Sequence, residues 1–425
     1  MAWRRRIFGG TFVPFLAGYL VAGSAWADVV TAESTTIVSS RVEARDGVVY
    51  RSTPFLQLVT LRGNQADNPV LADLEMEVSG WGELTMGDTR GDRRTLGDVD
   101  VAYVGGAVLD RRIRLRLGRH FVVPGSARVR QLDGVSVEAR IADGVGVSSY
   151  VGLPVAPRFA ERLVDFSAGG RAFYRVSVES EFGVSIASML GNQAGLDRRE
   201  VGLDGRQRMG NYLTVFGLAR YSLTEARLSE GDLGISTQPI AGMDLSLDYR
   251  RIAPDLFLPR YSIFSVFARE TRDEIGGFLG YAPARWLSLQ GSFHNSYTVS
   301  GWGTDTTGKI TLKPDHRGFF RMGVESRRLY APTGGYWMGR LFARLRLSSA
   351  WSISATASRY AFLVPVNDQT SSLEGSVGLV GDLSRDFRLV VSGSGGSSPF
   401  LREQFNVLAK LVYGGGRIQV EERRP

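Results

Sequence analysis

The stretch Arg112-Ile113-Arg114-Leu115-Arg116-Leu117 sets a charged residue and an apolar residue at alternate positions. Successive side chains of a β-strand point to opposite faces, so the arginines share one face and the aliphatic residues share the other. An α-helix would mix the two kinds of residue around its surface, because its side chains repeat every 3.6 residues. The stretch therefore predicts a β-strand with one strongly charged face and one apolar face.

The same alternation recurs along most of the chain, for instance in 74–79, 243–250, 320–327 and 341–347. The alternating segments run for roughly 9–12 residues, the length that a tilted strand needs to cross a bilayer. Very few segments have the helical period. We therefore expect an all-β fold, a single antiparallel transmembrane β-barrel of about 18 strands, with a range of about 16 to 22.

Aromatic residues open several of these strands directly after a short turn. They are Trp286, Phe319, Trp351 and Phe387. Membrane barrels carry a girdle of aromatic side chains at each interface, so this placement favours a membrane barrel. The alternative is a secreted soluble β protein, in which the apolar face would point inward.

The connections between strands predict an orientation. Short turns at 109–111 and 142–144 should face the periplasm. The longer polar links should face outward. These are 63–69, 87–95, 300–307, 331–335 and 365–371.

The first 27 residues have the pattern of a signal peptide. Arg4, Arg5 and Arg6 precede an apolar run over 7–21, and Ala25-Trp26-Ala27 forms a small-x-small cleavage site. We expect residues 1–27 to be removed and residues 28–425 to form a barrel integral to a bacterial outer membrane. An uncleaved helical anchor is the alternative. The chain has no cysteine, so ladder hydrogen bonds must hold the exported protein together.

The formal net charge of +8 comes almost entirely from arginine. A basic balance is typical of nucleic-acid-binding proteins, which concentrate the charge in a block or stripe. Here the arginines are spread along the chain and interleaved with acids. We therefore expect no nucleic-acid partner.

The charged strand faces should line the lumen, because the hydrocarbon of a membrane offers no water to solvate them. The predicted pore-lining residues are Arg112, Arg114, Arg116, Arg140, Arg171, Arg175, Arg321, Arg327, Arg344, Arg346, Glu75, Glu77, Glu138 and Glu325. Arginine favours anions, since the guanidinium presents a fixed fork to carboxylate or phosphate. The alternative is that these charges pair with one another and only keep the interior wet.

No motif for chemistry stands out. His120, His294 and His316 are far apart and have no metal-ligand spacing, and there is no phosphate-binding loop or nucleophile elbow. We expect no enzyme activity, catalytic residue, metal or cofactor; a barrel hydrolase using His294 is the alternative. The segment 28–70 is too short for the plug of an energised transporter.

Two short segments carry a family resemblance. Leu117-Gly118-Arg119-His120, followed by Leu132-Asp133-Gly134-Val135, resembles a signature of alginate-export-type porins and of barrels that pair with short periplasmic polysaccharide-export proteins. The motif covers about 114–140, and His120 stands where that family usually has glutamine. The resemblance implies an arginine-lined passage for a polysaccharide, commonly an anionic one.

These observations together predict a channel for polar, anionic or carbohydrate cargo, surrounded by outer-membrane lipid. The resemblance implies export of a secreted polysaccharide across the outer membrane with a periplasmic partner. Two alternatives stay open. One is a passive diffusion porin for small solutes, and the other is a plugged structural or adhesive barrel.

Overall fold

A computed structural model describes most of the chain after the expected signal peptide. The described residues are 29–45, 48–67, 71–87, 95–123, 125–155, 164–191, 197–210, 212–256, 270–315, 318–401 and 403–419. The predicted signal peptide, residues 1–27, lies outside them.

The described residues form 22 strands and one short 3-10 turn at Pro254–Leu256. The strands are β1 (Val29–Arg45), β2 (Val48–Asp67), β3 (Ala72–Gly87), β4 (Thr95–Val108), β5 (Ile113–Val122), β6 (Arg130–Ala142), β7 (Val145–Pro154), β8 (Val164–Ser177), β9 (Ser180–Gly191), β10 (Arg198–Met209), β11 (Leu213–Ser222), β12 (Arg227–Thr237), β13 (Met243–Ile252), β14 (Arg272–Ala284), β15 (Leu287–Thr298), β16 (Gly301–Leu312), β17 (Phe320–Ala331), β18 (Gly334–Arg346), β19 (Trp351–Val366), β20 (Gln369–Asp382), β21 (Phe387–Ser397) and β22 (Glu403–Gln419). No helix among the described residues is long and apolar enough to cross a membrane.

Each strand pairs antiparallel with the next one, and β1 pairs antiparallel with β22. The sheet therefore closes on itself and leaves no edge strand unpaired. This confirms the expected single antiparallel barrel. The 22 strands exceed the expected number of about 18 and stand at the top of the expected range. Part of the difference lies at 300–307, which is not an outward link: the turn is 299–300, and strand β16 follows at once.

Apolar side chains cover the outer surface of the barrel. Leu117, Leu247 and Leu341 are each 59–60% exposed, and Val324 is 50% exposed. A soluble β protein of this size would bury such residues in a core. Here they alternate with charged residues on the opposite face, so the outer surface matches the hydrocarbon of a bilayer. The chain is an integral outer-membrane protein.

The barrel has two distinct ends. We call the end where β1 begins and β22 ends the terminal end, and the opposite end the loop end. The two longest connections, 155–163 and 253–271, both lie at the loop end, and the short turns 109–112 and 143–144 lie at the terminal end. The link around 63–69 was expected with the outward loops. It lies at the terminal end instead, because it follows β2, which runs from the loop end to the terminal end and continues to Asp67.

Aromatic residues gather at both ends. The four predicted strand openers lie at the terminal end: Trp351 and Phe387 begin β19 and β21, while Trp286 and Phe319 directly precede β15 and β17. At the loop end, Tyr297 packs on Trp302 with ring centroids 5.1 Å apart. Exposed Tyr330 and Trp337 belong to the same end. These two belts mark the interfaces of the membrane.

Candidate functional site: a charged lumen narrowed by an inward loop

The connection between β5 and β6 folds into the barrel. We call residues 123–129 the inward loop; the structure describes all of them except residue 124. Its residues contact β9, β10, β11 and β12, three or more strands beyond β6. The concave inner wall brings those strands within reach of so short a loop. The strand faces that the loop contacts are therefore the lumen faces.

Ser126 is the centre of this contact and is fully buried. Its backbone N–H donates to Asp204 Oδ1 at 2.7 Å. Its hydroxyl hydrogen-bonds the Ser185 hydroxyl, and its carbonyl accepts from Arg220 Nε. Gly202 permits this approach, since a side-chain carbon there would collide with Ser126 Oγ. The backbone of the loop is thus fixed by polar groups from β9, β10 and β11.

Arg128 holds the loop with charge. Its Nη1 lies 2.9 Å from Glu230 Oε2, and its Nε lies 3.5 Å from Glu200 Oε1. Arg220 pairs with the same Glu230. The side chains of Glu200, Glu230 and Arg220 are only 7%, 13% and 12% exposed. Removing one partner from such a buried network costs about 3–5 kcal/mol, so the loop is firmly tethered.

Sequence reasoning did not anticipate the inward loop. It lies between Arg119 and Asp133, at the polar link inside the family-like motif. The Arg119 guanidinium donates to both carboxylate oxygens of Asp133, at 2.7 and 3.0 Å. His120 is buried and bridges the Gly118 carbonyl, at 2.9 Å, and the Ser136 hydroxyl, at 2.7 Å. The motif residues therefore link β5 to β6 at the two points where the inward loop leaves the strands.

About half of the predicted pore-lining residues form ion pairs on the inner wall. Arg116 Nε lies 2.7 Å from Glu75, Arg171 Nη1 lies 2.6 Å from Glu181, and Arg327 Nε lies 2.9 Å from Asp305. The remaining predicted residues in such pairs are Arg175 with Glu181, Glu77 with Arg62, and Glu325 with Arg340. The geometry of these residues therefore agrees with the alternative in which the charges of the lumen pair with one another.

A second group of lumen arginines has no carboxylate within ion-pair distance among the described residues. On one wall these are Arg112, Arg114 and Arg140, at the terminal end of β5 and β6. All three are exposed, and Arg114 faces Glu138 as its cross-strand neighbour. Arg112 and Arg140 line a cavity of about 480 Å³ with Arg175 and one acidic residue, Asp143. This wall is positively charged and open to water.

The opposite wall repeats the arrangement. Arg321 on β17 is the direct cross-strand neighbour of Arg344 on β18, and Arg346 lies two residues further toward the terminal end. Arg344 donates to the Ser352 hydroxyl at 3.2 Å and Arg346 to the carbonyls of Ser348 and Ser349 at 3.1 Å. Because 17 − 6 = 11 is half of 22, β6 and β17 lie across the barrel from each other. We call the two sets together the arginine mouth.

The other histidines stay apart. His294 Nε2 lies 3.7 Å from an Asp248 oxygen, whereas His120 is on a distant strand and His316 lies outside the described residues. Within the described ranges, no group of three or more His, Cys, Asp or Glu residues is placed to hold a metal ion.

No protein-family model matches the sequence, and no curated protein matches it by sequence. Solved structures of outer-membrane barrels do match its fold. The P pilus usher (PapC) translocation pore has 10% identity and a TM-score of 0.56, covering 91% of this chain and 99% of the other. PapC in an E. coli P pilus tip assembly intermediate has 13% identity and a TM-score of 0.50, covering 93% and 62%. The Pseudomonas aeruginosa protein OccK7 (OpdD) has 9% identity and a TM-score of 0.45, covering 91% and 99%. The two likenesses to PapC show the fold.

Proposed function

We propose that the barrel is a water-filled channel that selects polar, anionic solutes at the arginine mouth. The observation that carries the proposal is the pair of facing arginine groups, whose members have no carboxylate within ion-pair distance among the described residues. Arg321 and Arg344 are like-charged neighbours on adjacent strands, an arrangement that is unfavourable unless an anion lies between or near them. A passing carboxylate or phosphate supplies that charge.

The mechanism is electrostatic. Low-dielectric walls focus the field of the arginines and raise the local concentration of anions at the terminal end. Guanidinium groups bind carboxylate and phosphate through paired N–H donors, and water on the exposed side chains keeps each contact weak enough to exchange. The inward loop then narrows the path at a level where charges are already paired. Selection and narrowing are thus assigned to different parts of the lumen.

Export of an anionic polysaccharide with a periplasmic partner is the large-cargo form of the same proposal. The motif around Arg119 and Asp133 supports this form, because it resembles the signature of barrels that export polysaccharides. The width of a barrel of 22 strands also supports it, since side chains alone do not fill an interior of this size. Passive diffusion of small anions is the small-cargo form. Liposome swelling with glucuronate and with its oligomers separates the two forms, because only the large-cargo form admits the oligomers.

The test of anion selection is the reversal potential of the reconstituted protein in a KCl gradient. We expect the wild type to favour chloride. Changing Arg112, Arg114 and Arg140 to Gln should move the reversal potential toward zero, because three cationic groups leave one wall of the mouth. The double variant Arg116→Gln/Glu75→Gln is the matched control, because it removes an arginine together with its paired carboxylate and leaves the net charge of the wall unchanged. A triple variant with the selectivity of the wild type would refute the proposal.

A further inference from the structure

The outer surface carries a groove between β18 and β22. One row of cross-strand neighbours runs Leu341, Ala357, Gly375, Gly395 and Phe405. Large side chains stand at both ends of this row, and the three small residues between them form the floor. In the next row toward the terminal end, Ala343, Ala355 and Gly393 are also small, and Val377 lies between Ala355 and Gly393. The depression has a volume of about 830 Å³ and is almost entirely apolar.

Two arginines lie at the upper end of the groove, toward the loop end. Arg359 follows the floor residue Ala357 by two positions on β19, so it points to the same outer face. Arg328 on β17 also points outward, and its Cζ lies 5.1 Å from the centre of the Trp337 ring. Both arginines are exposed. In the part of the chain that the structure describes, neither has a carboxylate within ion-pair distance.

The arginines are close enough to share one ligand. Trp337 is the cross-strand neighbour of both Arg328 and Ala361, and Arg359 lies two residues from Ala361. Two strand spacings of about 4.8 Å and two residues of about 3.3 Å place the α-carbons of the arginines about 12 Å apart. Long arginine side chains can close that gap around a single headgroup.

The height of the arginines matches a lipid headgroup. Arg328 is nine residues beyond Phe319, which belongs to the aromatic belt of the terminal end. At about 3.4 Å per residue and a tilt of about 40°, this is about 23 Å along the membrane normal, close to the height of about 25 Å of the apolar band. The groove therefore lies beside the acyl chains, and the arginines lie where phosphates begin.

We propose that this groove binds an anionic, phosphate-bearing membrane lipid, with one acyl chain on the Ala357–Gly375–Gly395 floor and its phosphate on Arg328 and Arg359. Charge complementarity selects the ligand: two outward cations, with no carboxylate within ion-pair distance in the described part of the chain, lie directly above an apolar groove. A zwitterionic lipid would fill the groove but bring its own cation to the arginines. Trp337 stacks against Arg328 and holds it at the interface.

Native mass spectrometry of the protein, released from nanodiscs of defined lipid, tests the proposal. The probes are phosphatidylcholine alone and phosphatidylcholine mixed with either phosphatidylglycerol or diphosphorylated lipid A. We expect the wild type to retain the anionic lipid, phosphatidylglycerol or lipid A, in preference to phosphatidylcholine. The variant Arg328→Ala/Arg359→Ala should retain about tenfold less, because charge-assisted hydrogen bonds are lost. Arg346→Ala removes a lumen arginine and should leave retention unchanged.

A second variant tests the groove without touching charge. Gly375→Leu/Gly393→Leu fills the floor; an added side-chain carbon meets nothing closer than 3.9 Å at Gly375 and nothing within 4 Å at Gly393. Gly217→Leu on β11, where an added side-chain carbon meets nothing closer than 3.5 Å, is the control away from the groove. Loss of lipid from the filled variant supports the site. Three outcomes would overturn it. The wild type could retain phosphatidylcholine as well as the anionic lipids, both variants could retain as much lipid as the wild type, or the groove could prove to hold a second copy of the protein in a dimer that the filled variant abolishes. If one variant fails to fold, the other decides.

Discussion

At the scale of single residues, the family-like motif acts through backbone spacing as much as through its charges. Gly134 pairs directly with Gly152 on β7. A side-chain carbon at Gly134 would lie 2.6 Å from the Gly152 α-carbon and would also collide with the Val151 carbonyl. Gly118 has a φ of +119°, a conformation that residues with a side chain rarely adopt. The glycines of the motif therefore let β5, β6 and β7 approach closely beneath the inward loop.

This close approach predicts the effect of a small substitution. Gly134→Ala should destabilise the barrel by about 1–3 kcal/mol, because the added methyl group has no space between β6 and β7. Gly308→Ala is the matched control, since nothing lies within 4 Å of an added carbon there, and it should stay near the stability of the wild type. Thermal unfolding in detergent, followed by circular dichroism, measures both variants. Equal melting temperatures would contradict the assigned role of Gly134.

At the scale of elements, the inward loop can be released from the wall of the lumen by substitution of a few tethering residues. Its tethers are Arg128, which bridges Glu200 and Glu230, and the Arg220 bond to the Ser126 carbonyl. The double variant Arg128→Ala/Arg220→Ala leaves two buried glutamates without cations. The cost of about 3–5 kcal/mol for one broken buried pair is enough to release the loop in most molecules.

Release of the loop should widen the path, so the double variant should show higher single-channel conductance and more frequent current fluctuations. Arg227→Ala removes a more exposed ion pair with Asp255 at the same end and serves as the control. Conductance and noise equal to those of the wild type, in a variant that folds, would show that the loop does not narrow the path.

The elements also show how far the sequence could be read. Alternation at positions such as 112–117 correctly predicted β-strands, because side chains that point to alternate faces impose a period of two on the sequence. The strand number and the turn at 299–300 were less accessible, since a two-residue turn leaves almost no signal in composition. The inward loop was not predicted at all. Its partners Ser185, Asp204 and Glu230 are brought together only by closure of the barrel.

At the scale of the whole molecule, separate observations give the barrel a direction. The longest connections lie at the loop end, as do the outward arginines of the lipid groove. The arginine mouth lies at the opposite, terminal end. Short turns face the periplasm in barrels of this kind, so we propose that the arginine mouth faces the periplasm and that the groove lies in the outer leaflet. An anion leaving the cell would meet the arginines first and the inward loop second.

The claim on which these assignments rest is that water fills the lumen from one end to the other past the inward loop. Single-channel recording of the purified, unmodified chain in a planar lipid bilayer tests it most directly. We expect discrete conductance steps and a reversal potential on the anion-selective side. A protein that inserts into the bilayer in folded form and yet carries no current would contradict it and would point to a plugged barrel.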